Sequence, residues 1–208
     1  MEGVIMGIIT ISRQFGSGGR ELGKRLADKL GYDYYDNEIV TAVARGNGVD
    51  EGYVEQLIER GFSAGFSFNF AKTLSYSPTI INEDSMRLYL EQHKVLREIA
   101  KRGNAVIVGR AADIILSSYK PFNVFVYADM ESKVKRCIER ASDGEDTGEK
   151  ELIKKIKKID AGRRKYYGIF SDTPWGDPEN YHLMINTTGI NIKEIIDPVA
   201  EYFYKYKF

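Results

Sequence analysis

The sequence predicts a three-layer α/β fold, a five-stranded parallel sheet with helices on both faces. Two observations carry this. Five short runs, Ile8–Ile11, Tyr32–Tyr35, Ala105–Val108, Asn123–Tyr127 and His182–Asn186, are mostly β-branched or aromatic and read as strands buried on both sides. Between them lie segments whose apolar residues recur at helical spacing, and strands that alternate with helices imply a covered parallel sheet. A third observation says where function belongs. Such sheets hold ligands at the carboxyl ends of their strands, and the first run ends there in a glycine-rich turn.

Ile8-Ile9-Thr10-Ile11 breaks into Ser12-Arg13-Gln14-Phe15-Gly16-Ser17-Gly18-Gly19, after which Leu22, Leu26, Ala27 and Leu30 mark a helix. Strand, glycine loop and helix in succession are the layout of a phosphate-binding loop. Glycines let backbone N–H groups approach an anion, and the helix aims its positive end at it. The strict motif, G-x-x-x-x-G-K-[ST], is not met. Counting back from Gly18, its first glycine falls on Arg13, its lysine on Gly19 and its hydroxyl on Arg20. Gly16, Ser17, Gly18 and Gly19 are the expected cradle, with Arg13, Arg20 or Lys24 supplying the positive charge. The alternative is a turn that only packs a helix closely on a sheet.

Gly31 stops the first helix, and the second strand ends in Asp36-Asn37, which can cap a helix through about Arg45. Residues 46–82 read as an insert. Within it, Tyr53–Arg60 allows a helical turn or two. Phe62–Phe70 alternates phenylalanine with small residues, as a flap or a surface covered by a partner would. A long helix runs from Asn82 to about Arg102, stopped by Gly103. The third strand runs straight into Gly109-Arg110-Ala111-Ala112-Asp113. A helix from Met130 to about Ala141 follows the fourth strand. Ser142–Lys150 is polar and reads as a loop, and Glu151 to about Tyr167 is a very basic helix. An irregular stretch with Pro174, Trp175 and Pro178 precedes the fifth strand, and Ile192 to about Tyr206 closes the chain as a helix.

Composition narrows the function. At 208 residues the chain suits a single domain, 1–208, with 46–82 as its insert and 142–180 as a lid-like region. Lysine plus arginine balance aspartate plus glutamate at 30 each, so no global basic field recruits nucleic acid or membrane. Cys137 is the single cysteine, which excludes an internal disulfide and fits a reducing cytosol. His93 and His182 form no cluster with it, so no metal-ligating residue is assigned. There is no basic leader and no apolar run of the roughly 20 residues a membrane span needs. A cytoplasmic protein is expected.

Several side chains are placed for phosphoryl transfer, which needs an oriented acceptor and neutralised charge. Asp36 and Asp113 are the acids best placed for an acceptor or a metal shell. The alternatives are a helix N-cap for Asp36 and, for Asp113, a surface position or a salt bridge with Arg110. Arg110, directly after a buried strand and a glycine, is a phosphate or substrate contact. In the basic helix, Asp160 lies three residues before Arg163 on one face, beside Arg164 and two tyrosines. Loop before and irregular chain after suggest a lid that closes arginines over a polyphosphate, stabilising transition-state charge and excluding water. Arg136 and Arg140 could face the same space.

These residues together make the chain similar to the cytidylate kinase-like family of P-loop nucleoside monophosphate kinases. The resemblance is carried by ITISRQFGSGG, YYDNEIV, VIVGRAAD, DAGRRKYY and INTT, in that order along nearly the whole chain. It implies a P-loop NTPase-type fold with strand order 2-3-1-4-5, a monophosphate-binding insert and an arginine-bearing lid. The implied activity is transfer of the γ-phosphate of ATP to CMP or dCMP, with magnesium. Asp36, Arg110, Asp160 and Arg163 match family positions. The family's tyrosine and arginine after the second strand fall on Thr41 and Ala42, its turn aspartate on Ala111, and a lid arginine on Ile156. Asp160, Arg163, Arg164 and Asp36 are thus the expected catalytic set, and Asp36, Arg110 and Asp113 the acceptor set. The partners expected are small-molecule nucleotides, with a homodimer left open. A kinase for another metabolite, or a nucleotide-binding module without catalysis, are the alternatives.

Overall fold

The computed structural model describes residues 7–36, 83–141 and 148–206. The chain runs β1 (Ile8–Arg13), α1 (Gly19–Leu30), β2 (Asp33–Asp36), α2 (Glu83–Arg102), β3 (Ala105–Val108), α3 (Ala112–Ile115), β4 (Phe122–Tyr127), α4 (Met130–Glu139), α5 (Glu149–Tyr167), β5 (Leu183–Asn186) and α6 (Ile196–Lys205). The strands form one parallel sheet of order β2-β3-β1-β4-β5. The fold class and strand order are those expected. The helix expected from Asn37 to Arg45, the 46–82 insert with Tyr53–Arg60 and Phe62–Phe70, and residues 142–147 lie outside the described residues.

Alternation along β1 explains why its first four residues, Ile8-Ile9-Thr10-Ile11, are mostly apolar. Ile9 and Ile11 point into a core built with Leu22 and Leu26 of α1 and Phe203 of α6. Ile8 points the other way, towards Leu96 and Ile99 of α2 and Leu116 after α3. Both faces are therefore dry, and each fully enclosed Leu or Ile stabilises the fold by roughly 1.5–3 kcal/mol. Helix α1 comes close to the sheet because residue 23 is glycine: a Cβ there would lie 2.7 Å from Val108 Cγ2.

Two boundaries differ from expectation. β1 continues through Ser12 and Arg13, which pair with Phe125 and Val126 of β4. Their polarity reads as loop, but ladder hydrogen bonds decide. The C-terminal helix is entered through a 3-10 turn, Ile192–Ile195, started by Asn191, whose side chain accepts from Lys193 N at 3.1 Å. Helices α4 and α5 share a separate small core of Val134, Cys137, Leu152 and Ile156. The arginine-bearing helix is thus joined mainly to α4 rather than to the sheet. Among the described residues, no helix is long and apolar enough to cross a membrane.

Candidate active site

The turn after β1 is held from behind. Gly16 and Gly18 have φ of 75° and 82°, the left-handed region that side chains rarely adopt. A Cβ at Gly16 would also sit 2.9 Å from both the Cβ and the carbonyl of Lys133. The loop is braced by its own atoms, by β4 and by the residue after β5. Gln14 N donates to Val126 O at 2.9 Å, Ser17 Oγ donates to Gln14 O at 2.8 Å, and Thr187 Oγ donates to Ser17 O at 2.7 Å. Arg136 donates to the carbonyls of Gly16, Thr187 and Ile190, so it clamps loop to chain. Arg140 instead pairs with Glu21 on α1. At the front, Gly18 caps α1 with no side chain, and no side-chain cap bond closes the helix. The first-turn N–H groups and the helix dipole make this N-terminus suited to an anion.

Guanidinium groups gather around that position. Arg20 Nη2 pairs with Asp36 Oδ2 at 2.6 Å, so Asp36, at the end of β2, positions a cation. Burial pushes the Arg13 guanidinium down to about 10; Tyr34 and Asp36 pull it up, and Arg20 and Arg110 push it further down. Arg163 Nη1 donates to the Arg13 carbonyl at 2.8 Å, and its guanidinium lies 5.6 Å from the Phe15 ring centroid. Burial, then the charge of Arg13, holds the Arg163 guanidinium well below its ordinary range. Asp160 accepts from Phe15 N at 2.7 Å and lies 3.7 Å from Arg163 and 3.8 Å from Lys133. Helix α5 is therefore docked on the loop through an acid and an arginine one turn apart.

The carboxyl end of β3 supplies the other wall. Gly109, Arg110 and Ala111 have φ of 88°, 59° and 49° in succession. Two non-glycine residues in that region cost about 1–3 kcal/mol each and concentrate at functional turns. The turn sets the Arg110 guanidinium 5.6 Å from the Tyr166 ring centroid. Tyr166 OH donates to Gln92 at 3.4 Å.

The structure thus brings Arg13, Gly16–Gly19, Arg20, Asp36, Asp160 and Arg163 to one loop, with Arg110 beside it. Lys24 pairs with Asp28 at 2.6 Å, and Arg164 lies 5.7 Å from the Trp175 ring centroid. Lys133, Tyr166 and Thr187 have no counterpart among the sequence-derived candidates. Lys133 is buried, yet a lysine on an amphipathic helix reads as solvated.

Asp113 is neither a surface residue nor a partner of Arg110. It is 3% exposed, and its Oδ2 accepts from Tyr167 OH at 2.9 Å. Burial pushes its carboxyl up to about 6, against bonds from Tyr167 and nearby amides that pull it down. An acid whose pKa is raised by folding adds stability at low pH and loses it as pH climbs through the folded value. Relative to Asp113→Asn, the wild type should lose about 2–3 kcal/mol between roughly pH 4 and pH 7. Urea unfolding across that range checks it, and a pH-independent difference would contradict it.

Among the described residues, the donors at the loop do not build a protein-side magnesium site. The hydroxyl position of the motif holds Arg20, Ser17 Oγ is turned to Gln14 O, and Asp36 is paired with Arg20. A magnesium ion would arrive with the phosphates of ATP.

An uncapped helix N-terminus in a glycine loop at the centre of a 2-3-1-4-5 sheet defines a P-loop kinase scaffold. The sequence profile of the cytidylate kinase-like family matches residues 8–189. A cytidylate kinase of Staphylothermus marinus is 24% identical over 204 residues, 97% of this chain and 98% of that one. A cytidylate kinase of Caldanaerobacter subterraneus is 23% identical over 216 residues, 93% and 92% of the two chains. An uncharacterized protein from Eubacterium ventriosum, known by crystal structure, is similar with a TM-score of 0.71 at 25% identity, covering 96% of this chain and 99% of its own. The shikimate kinase of Acinetobacter baumannii, solved with shikimate, has a TM-score of 0.53 at 16% identity over 98% and 96% of the chains, a likeness of fold. The chain belongs to the cytidylate kinase-like family, and with it to the P-loop kinases of nucleotides and other small metabolites.

Proposed function

We propose that the protein transfers the γ-phosphate of ATP to a nucleoside monophosphate, with cytidylate the first acceptor. One set of contacts supports this above the others: the Arg13 side chain lies against Gly19 and against Gly109, the neighbour of Arg110, Arg20 stands in the first turn of α1, and Arg163 donates to the Arg13 carbonyl. Like charges held together in a protein are stabilised by an anion that joins them, and a chain of phosphates is such an anion.

In the reaction an acceptor phosphate oxygen attacks Pγ, the bond from Pγ to the β-bridging oxygen breaks, and ADP leaves. The attacking oxygen is already anionic, so no proton has to be removed. The acids of the site then serve to hold cations: Asp36 holds Arg20, and Asp160 holds Arg163. Gly16–Gly19 cradle the donor phosphates, Arg110 meets the acceptor phosphate, and Arg163 and Arg164 act from the lid helix. Charge stabilisation and positioning carry catalysis, as expected for a loose phosphoryl transition state.

A second reading keeps the donor and changes the acceptor. The family's turn aspartate is replaced by Ala111, which is 4% exposed and offers no group to read a base. ATP labelled on its γ-phosphate, incubated with a panel of nucleoside monophosphates and with hydroxylated metabolites such as shikimate, separates the two. Label in CDP supports the first reading. Label only in a metabolite supports the second. No transfer, with ATP still raising the melting temperature, would leave a nucleotide-binding module without catalysis.

A further inference from the structure

We infer that Arg13 and Gly19 are a single exchange rather than two separate losses: the phosphate-binding cation of this loop comes from Arg13, across the loop from the motif's lysine position. The inference rests on the reading of the loop as a phosphate site, and it names the residue that meets the phosphates.

Space is the first argument. A Cβ on residue 19 would lie 2.6 Å from Arg13 Cβ and 3.0 Å from its Cγ. Real side chains do not approach so closely, so positions 13 and 19 cannot both carry one in this backbone. The motif puts glycine at the first position and lysine at the second; here the large residue and the glycine have changed places. A second glycine extends the track. A Cβ on Gly109 would collide with the Arg13 guanidinium, so that group lies against bare backbone at the end of β3.

Charge is the second argument. Among the described residues, no carboxylate is within ion-pair distance of Arg13; Asp36 is paired with Arg20, and Asp160 with Phe15 N and Arg163. A partly buried guanidinium without a carboxylate of its own is left to an anion that completes its charge. Its carbonyl, meanwhile, accepts from Arg163 at 2.8 Å, which ties the lid arginine to the same residue. From β1, the side chain reaches the boundary between the loop and the Arg110 turn. A cation there meets the terminal phosphate of a nucleoside triphosphate, the group that must cross from donor to acceptor. Arginine does this as a planar fork where lysine would act as a point charge.

Four proteins test this: wild type, Arg13→Gln, Gly19→Lys, and the double variant Arg13→Gly with Gly19→Lys. ATP affinity is measured by calorimetry, and the melting temperature is measured without ligand. Arg13→Gln should weaken ATP binding about tenfold or more while leaving the unliganded melting temperature near that of wild type. Gly19→Lys alone should lower that temperature, because its side chain meets Arg13. The double variant should melt above Gly19→Lys and bind ATP within about threefold of wild type, a non-additive recovery. ATP affinity unchanged in Arg13→Gln, or a double variant no more stable than Gly19→Lys, would overturn the exchange while the phosphate-loop reading stands. A wild type that binds neither ATP nor tripolyphosphate would overturn both.

Discussion

Arg163→Ala is expected to lower turnover by about 10³-fold, the range of arginines that stabilise phosphoryl-transfer transition states. Its guanidinium has five donors. Nη1 is used on the Arg13 carbonyl with Asp160 3.7 Å away, and one face rests on Phe15, so the other donors of the fork are the ones proposed to meet phosphate oxygens. Kinetics separate a catalytic arginine from a docking one. A docking role predicts a lower melting temperature with turnover reduced in proportion to unfolding. A transition-state role predicts a fall in kcat at a temperature where the variant is fully folded. Arg163→Lys keeps the charge without the fork and should fall between the two. A drop below about threefold for Arg163→Ala would remove this residue from the chemistry.

Asp160→Ala is expected to destabilise the fold by about 3 kcal/mol or more, in the range seen when one partner leaves a buried ion pair. Burial already pushes the Asp160 carboxyl up, so the carboxylate itself gains little from its surroundings. The larger cost comes from what it leaves. Arg163 and Lys133 have side chains 12% and 7% exposed, and both would lose their shared counter-charge. Phe15 N would lose an acceptor at 2.7 Å, loosening the loop. Asp160→Asn keeps an acceptor for Phe15 N and removes only the charge, so it separates the two contributions. Urea unfolding measures both, and a loss below about 1 kcal/mol for Asp160→Ala would show that the cations find other partners.

Much of this was legible in the sequence. The apolar runs of β1, β3 and β4 and the periodic faces of α1 and α2 depend on burial, which local composition records. The end of β1 was not legible, because Ser12 and Arg13 are polar residues made strand by pairing with β4. The strand order came from resemblance, since crossovers leave no local mark. At the site, glycine spacing signalled the loop, and the i, i+3 spacing of Asp160 and Arg163 marked them as a pair. Three features were closed to sequence reasoning for one physical reason: they depend on which side chains meet across elements. Arg13 and Gly19 share a space only after α1 folds back on β1. Lys133 becomes buried only when α4 backs onto Gly16. Asp113 turns to Tyr167 rather than Arg110 because the Arg110–Ala111 turn directs the two side chains to different neighbours.

A loop lacking the motif's lysine and hydroxyl is expected to bind ATP through its phosphates all the same. Titrating the protein with ATP and with adenosine by calorimetry tests it most directly. Two or more charge-assisted contacts to phosphate, at about 1.5–3 kcal/mol each, predict ATP binding at least about 10²-fold tighter than adenosine, with a preference that shrinks as salt rises. Equal affinities for the two, or no binding of ATP at all, would contradict the assignment of Gly16–Gly19 and the surrounding arginines as a phosphate site.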